Sequence, residues 1–202
     1  MKTRSLSLAI IIIGFCSAFA MIHEELHEAM MRMMDKMKSM KMTGDADHDF
    51  AMMMAEHHQG SIDMSRILVK QGKDEKVKMM AQSILDKQPQ EQQQLRAHKG
   101  QDHSQHAAHN QNSDASKGSF KSEIDQAMKS MESDMRSMKM TNNVDHDFAM
   151  MMIPHHESAI EMSDAILKHG KDQEIKQIAE KIKSDSQKEI ADLKEWLQSH
   201  DK

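Results

Sequence analysis

Along most of the chain, apolar residues recur at intervals of three and four and no stretch alternates in and out. That spacing predicts helices and leaves no credible strand. Met30, Met33, Met37 and Met40 form one apolar stripe, and Met128, Met131, Met135 and Met138 form a second. Each stripe is followed by a longer amphipathic segment, from an expected N-cap at Asp47 to Lys70 and from Asp145 to Lys168. Gly72 and Gly170 stand where a helix can end in the left-handed conformation. Asp74 and Asp172 then cap a third helix. In the later of these, Ile175, Ile178, Ile182, Ile190, Leu193, Trp196 and Leu197 mark a regular apolar face. In the earlier one, Pro89 removes an internal hydrogen bond and "QPQEQQQ" erodes the face. A kink near Pro89 and a less stable first half are expected.

The halves repeat. "KMTGDADHDFAMMMAEHHQGSIDMS" at Lys41 returns as "KMTNNVDHDFAMMMIPHHESAIEMS" at Lys139, and the register continues through "GKDEKVK" and "GKDQEIK". Between them "HKGQDHSQHAAHNQNSDASKG" has no apolar periodicity and is rich in Gln, Ser, Asn and Gly, the composition of a flexible linker. The expected organisation is a first repeat over 21–98, a His-rich linker over 99–118 and a second repeat over 119–202. The fold class is all-α: two tandem helical-bundle repeats of about three helices each.

The amino terminus carries Lys2 and Arg4, an apolar run from Leu6 to Phe15, and Ala18-Phe19-Ala20. This is the pattern of a signal peptide, residues 1–20, cleaved after Ala20 to give a periplasmic or secreted protein with no remaining membrane insertion. A lipid anchor at Cys16 is the competing reading, disfavoured because Phe15 is too large for the position before such a cysteine. With 27 Lys+Arg against 32 Asp+Glu, a net charge of -5 and no basic block interleaved with aromatics, nothing points to nucleic acid. Cys16 is the only cysteine, so the exported chain has no thiol chemistry. In its place stand 24 Met and 14 His, beside 5 Phe, one Trp and no Tyr.

Where these residues cluster decides the candidate chemistry. At 100° per residue, Phe50, Met53, His57, Ser61, Met64 and Leu68 share a face, with Met54 and His58 one step around. Phe148, Met151, His155, Ala159, Met162 and Ile166, with Met152 and His156, repeat the arrangement. Buried, hydrogen-bonded histidines in a methionine-filled core would account for one such helix. The same His-His pair among methionines in both repeats, where neighbouring positions differ, points instead to metal ligation. Thioether sulfur is soft and neutral and suits Cu(I) and Ag(I), while imidazole can also hold Cu(II). In an oxidising compartment methionine remains a usable sulfur ligand where cysteine becomes a disulfide. The methionine stripes are open to both readings, core or further soft-metal sites, and the linker histidines His98, His103, His106 and His109 to weak divalent binding or a polar spacer.

Two catalytic patterns fail in context. His23-Glu24-x-x-His27 matches the zinc-protease string, but its repeat counterparts are Lys121, Ser122 and Asp125, and no third ligand follows. A di-iron site needs two Glu-x-x-His motifs and two further glutamates, and only Glu24-x-x-His27 is present. No nucleophile and base pattern stands elsewhere, so no enzyme is expected. His23 and His27 remain candidate copper ligands.

The stretches "DHDFAMMMAEHHQGSIDMS" and "DHDFAMMMIPHHESAIEMS", with the late "WLQSH", resemble the DUF305 family over nearly the whole exported chain, in the double-domain form of the CopM-type periplasmic copper-binding proteins. The resemblance implies a ferritin-like bundle, export, and binding of copper and silver through methionine and histidine in resistance or homeostasis. Carried over by position, its ligands are His57, His58, His155 and His156 with Met54, Met64, Met152 and Met162; Met53 and Met151 join them from the helical face. The first repeat departs from the pattern, with Glu56 in place of Pro154 and His98-Lys99 in place of Trp196-Leu197. The expected function is to sequester, buffer or hand over copper, with another exported carrier or efflux component as partner. The alternative is a metal-independent helical chaperone or interaction module with a methionine-rich surface.

Overall fold

A computed structural model describes residues 9–98, 114–141 and 143–200, with side chains for 24–98, 120–141 and 143–200. The chain around Ala20, where cleavage is expected, is described as backbone only, and the linker histidines His103, His106 and His109 lie outside the described residues. The described residues form six helices and no strand: α1 Ala9–Ser39, α2 Ala46–Gln71, α3 Glu75–His98, α4 Asp114–Ser137, α5 Val144–His169 and α6 Gln173–His200. Three helices fall in each repeat, as the periodicity predicts. α4 begins five residues inside the expected linker. Among the described residues no helix is long and apolar enough to cross a membrane.

α2 and α5 are the central helices. α2 packs on α1 and α3, α5 packs on α4 and α6, and α2 and α5 pack on each other across the repeats. Surrounded in this way, α2 buries positions on more than one face, including Phe50, Met53, Met54, His57, His58, Ser61, Met64 and Leu68. The methionine stripes are core: Met30, Met33, Met34, Met37, Met128 and Met131 are buried, and Met40, Met135 and Met138 pack against them partly covered. Methionine fills such gaps without demanding one shape, which suits a core with few aromatic rings.

Two expectations at the helix ends are corrected in both repeats. The N-caps are Asp45 and Asn143, two residues earlier than Asp47 and Asp145. Asp45 Oδ1 accepts from Asp47 N (3.1 Å) and His48 N (3.3 Å), and Asn143 Oδ1 accepts from Asp145 N (3.1 Å) and His146 N (3.4 Å). Asp47 and Asp145 are thereby free to reach across the molecule. Asp47 accepts from Lys171 N (2.9 Å), and Asp145 accepts from Lys73 N (3.0 Å). Gly72 and Gly170 are not left-handed but extended, at φ -65° and -68°. They are needed for closeness: a Cβ on Gly72 would stand 2.6 Å from Asp145 Oδ1 and 2.7 Å from Leu68 O, and one on Gly170 equally close to Asp47 Oδ1 and Ile166 O. These reciprocal clamps hold the two repeats together around α2 and α5. The third-helix caps stand as expected, with Asp74 Oδ1 accepting from Val77 N and Asp172 Oδ1 from Glu174 N and Ile175 N.

α3 runs unbroken through Pro89 to His98. Its polar stretch is less an eroded core face than an inward one, since Gln88 and Glu91 are buried. His98, standing where the second repeat has Trp196, is buried as well, its Nε2 3.8 Å from Asp172 Oδ2 of the other repeat.

Candidate metal centre

The packing of α2 on α5 brings the two His-His pairs to one place. The rings of His57 and His155 lie 3.8 Å apart between centroids, and His155 and His156 5.7 Å apart. All four histidines line one small cavity of about 10 Å³, together with Glu91 and Glu189. That is the lower limit of room for a single water-sized occupant. All four are 1–2 % exposed.

One ring nitrogen of each of His57, His155 and His58 is tied down. His57 Nε2 lies 2.7 Å from Ser158 Oγ, His155 Nε2 3.1 Å from the His57 carbonyl, and His58 Nε2 3.1 Å from Glu91 Oε2. His156 Nε2 lies 3.0 Å from Glu189 Oε2. A carbonyl and an ionised carboxylate only accept, so His155 and His58 carry their proton on Nε2. Ser158 Oγ has one proton, which its contacts with the His155 carbonyl (2.8 Å) and Met131 Sδ (3.2 Å) engage; His57 Nε2–H then donates to it. In each of the three histidines the remaining nitrogen, Nδ1, is a bare lone pair. Nδ1 of His57, His58 and His155 is buried without a hydrogen-bond partner.

Three such lone pairs are a substantial penalty, because each unsatisfied buried polar atom costs about 1–3 kcal/mol. The electrostatics keep those of His57 and His155 bare. Burial, and then the neighbouring His58 and His156, hold His57 well below the usual imidazole pKa; burial, and then His57, His156 and His58, do the same to His155. Burial also works against ionisation of Glu91 and Glu189, but hydrogen bonds from His58 and Lys181 outweigh it at Glu91, and those from His156 and Lys87, with their charges, at Glu189. Both carboxyls end below the usual range. Neutral imidazoles whose far N–H groups are held by carboxylate, carbonyl or hydroxyl are the form in which histidine binds metal.

No methionine lines this cavity, and the nearest thioethers reach its histidines only through intervening groups. Met131 Sδ touches Ser158, and Met33 packs where a Cβ on Gly60 would meet it at 2.9 Å, 3.4 Å from His155 Nε2. The sequence-derived ligands Met53, Met54, Met64, Met151, Met152 and Met162 are all buried core residues along the same two helices. Among the described residues no three His, Cys, Asp or Glu side chains already surround a point suited to an ion. His27 is exposed on α1, away from the buried pairs, and the side chain of His23 is not among those described.

Glu91, Glu189 and Ser158 were not legible as site residues. One signal existed: Glu91 and Glu189 are repeat counterparts, and from residue 85 to residue 98 they and Leu95 with Leu193 are the identities retained between the two third helices.

The model of a domain of unknown function, DUF305, matches residues 17–99 and 47–197. The chain belongs to the DUF305 family. No curated protein matches it. Among solved structures, the DUF305 fragment from Deinococcus radiodurans is 18 % identical with a TM-score of 0.53, and CopM in its silver-bound form is 23 % identical with a TM-score of 0.55. Each comparison covers 76 % of this chain and 96 % of the other. At these identities the likeness concerns the fold, so this DUF305 chain shares the all-helical architecture with both. What the histidines of this DUF305 chain bind has to be argued from their own chemistry.

Proposed function

We propose that this protein is an exported copper-binding protein that takes up Cu(I), and by the same chemistry Ag(I), at one centre built jointly by the two repeats, and sequesters it or hands it on without catalysing a reaction. The observation that carries the reading is the set of buried, unpartnered Nδ1 lone pairs on His57, His58 and His155. A metal ion would satisfy such lone pairs once the side chains converge on it, whereas at His57 and His155 a proton is opposed by burial and by the neighbouring histidines. The thioether of Met131, one contact removed from His57 through Ser158, supports a soft ion, and the fold is shared with a protein known in a silver-bound form. Cu(II) fits the imidazoles alone. Export rests on the leader-like segment before Met21.

The chaperone alternative needs methionines at the surface. Among the described large hydrophobic residues, Met79 is the exposed one. The other described methionines are buried in the core or partly covered at its edge, which favours metal over apolar peptide.

The test is an anaerobic Cu(I) titration of the chain from Met21 against a competing chelator, with His57→Ala/His58→Ala and His155→Ala/His156→Ala in parallel. A joint centre predicts that either double variant weakens the same tight site. Independent centres predict that each variant loses one ion and retains the other at full affinity. Absence of tight binding by the folded wild type refutes the metal reading.

A further inference from the structure

The four histidines are 1–2 % exposed at the bottom of a small cavity, so an ion needs a way in. Outside the cavity, α3 and α6 leave a groove of about 230 Å³, lined by Lys76, Met79, Met80 and Lys87 from one repeat and by Glu189 and Asp192 from the other. Lys87 and Glu189 line both spaces. They form the wall between them: Lys87 Nζ lies 3.5 Å from Glu189 Oε1, and the other oxygen of that carboxylate lies 3.0 Å from His156 Nε2. Turning one partly exposed lysine away from one carboxylate therefore connects the groove with the cavity.

Of the two methionines at this groove, Met80 packs partly covered against the core, and Met79 has no packing explanation. Met79 is 64 % exposed, an unfavourable position for a thioether side chain unless it has another use. Its repeat counterpart is Gln177, and that of Met80 is Ile178, so neither sulfur is dictated by the repeated core pattern. The groove is close to charge-balanced once Glu195 at its edge is counted, with Lys76 paired to Glu195 at 3.0 Å, Lys87 paired to Glu189, and Lys188 and Asp192 also among its lining residues. A monovalent soft cation is neither drawn in nor expelled by net charge. Selection is left to the sulfurs.

We propose that the α3–α6 groove is the entrance to the metal centre, where the thioethers of Met79 and Met80 capture Cu(I) or Ag(I) and the Lys87–Glu189 pair gates its passage to His156. This rests on the metal-binding function proposed above, and separates from it experimentally because an entrance governs rate while the centre governs affinity. No bond is made or broken beyond exchange of neutral ligands on the ion, so no redox partner is required.

The test is stopped-flow loading of the anaerobic protein with Cu(I) supplied as its acetonitrile complex, followed by ultraviolet absorption, alongside equilibrium titration. Met79→Leu/Met80→Leu keeps the groove apolar and removes both sulfurs. Loading should slow by roughly tenfold, the lower range over which association rates vary among variants of one site, with equilibrium affinity unchanged. Lys87→Gln, at a side chain 42 % exposed and so tolerant of replacement, should speed loading. Unchanged loading in the double methionine variant overturns the capture role, and unchanged or slower loading in Lys87→Gln overturns the gate. A parallel loss of equilibrium affinity in the methionine variant makes these sulfurs ligands of the final site and also overturns the proposal. Failure of the wild type to bind Cu(I) at equilibrium removes the centre itself.

Discussion

Replacing Glu91 separates orientation of a ligand from ligation itself. Glu91 is 7 % exposed as a residue, its carboxylate accepts from His58 Nε2 and from Lys181 Nζ, and it so fixes the ring whose buried Nδ1 has no partner. Glu91→Gln leaves one amide oxygen for two donors. Lys181 can fall back on Asp185, 2.7 Å away, and its side chain is 57 % exposed, so the stability lost is expected near the low end of the range for a charged hydrogen bond, about 1.5 kcal/mol. His58 keeps an acceptor in this variant. Removing a partner behind a metal-bound histidine typically costs 10–100-fold in affinity, roughly 1.4–2.7 kcal/mol, and the amide belongs at the tenfold end. Glu91→Ala removes the acceptor altogether and belongs near the hundredfold end. Glu189→Gln should cost less than Glu91→Gln, because the Glu189 side chain is 17 % exposed against 9 % and water can replace part of what is lost. The assay is anaerobic Cu(I) competition on each variant, with helicity checked by circular dichroism and Glu132→Gln, in a surface pair, as the control. Wild-type affinity in a folded Glu91→Ala refutes the reasoning, since His58 would then need no orienting partner or would not be a ligand.

Three other outcomes follow from the same geometry. Gly72→Ala and Gly170→Ala each place a methyl group against a backbone carbonyl and the clamping aspartate, and should lower stability by about 1–3 kcal/mol in denaturant melts; an unchanged midpoint would show that the clamps can yield. His57 and His155 have folded-state pKa values below 6.5, so the unfolded chain binds more protons and stability rises with pH. Apo-protein stability should therefore be fully present above about pH 6.5 and fall below it, by at most about 1.4 kcal/mol per pH unit for each histidine, and His155→Gln should flatten the slope; a pH-independent stability between 7 and 5.5 contradicts this. Met131→Leu conserves volume and should cost less than about 1.5 kcal/mol in stability while weakening Cu(I) and sparing Zn(II); equal loss for both ions would remove the thioether from the selectivity argument.

Helix number, the repeat and the placement of each His-His pair on an amphipathic helix were determined by the sequence alone, because periodicity and the 98-residue register from His57 to His155 are local, additive signals. Helix ends were less legible. Asp45 and Asp47 are both competent caps, and the choice between them depended on where Lys171 N, 124 residues away, came to need an acceptor. Gly72 read as a left-handed terminus, whereas its missing side chain serves the approach of Asp145. The polar run around Pro89 read as a weakened core because one-dimensional periodicity counts a buried glutamate as a defect. Only the packing of α3 against α2 shows that Glu91 has His58 as its partner. The joint centre is tertiary for the same reason: it arises where α2 crosses α5, and the contact of His57 with Ser158 depends on the relative placement of two helices that no spacing within either one specifies.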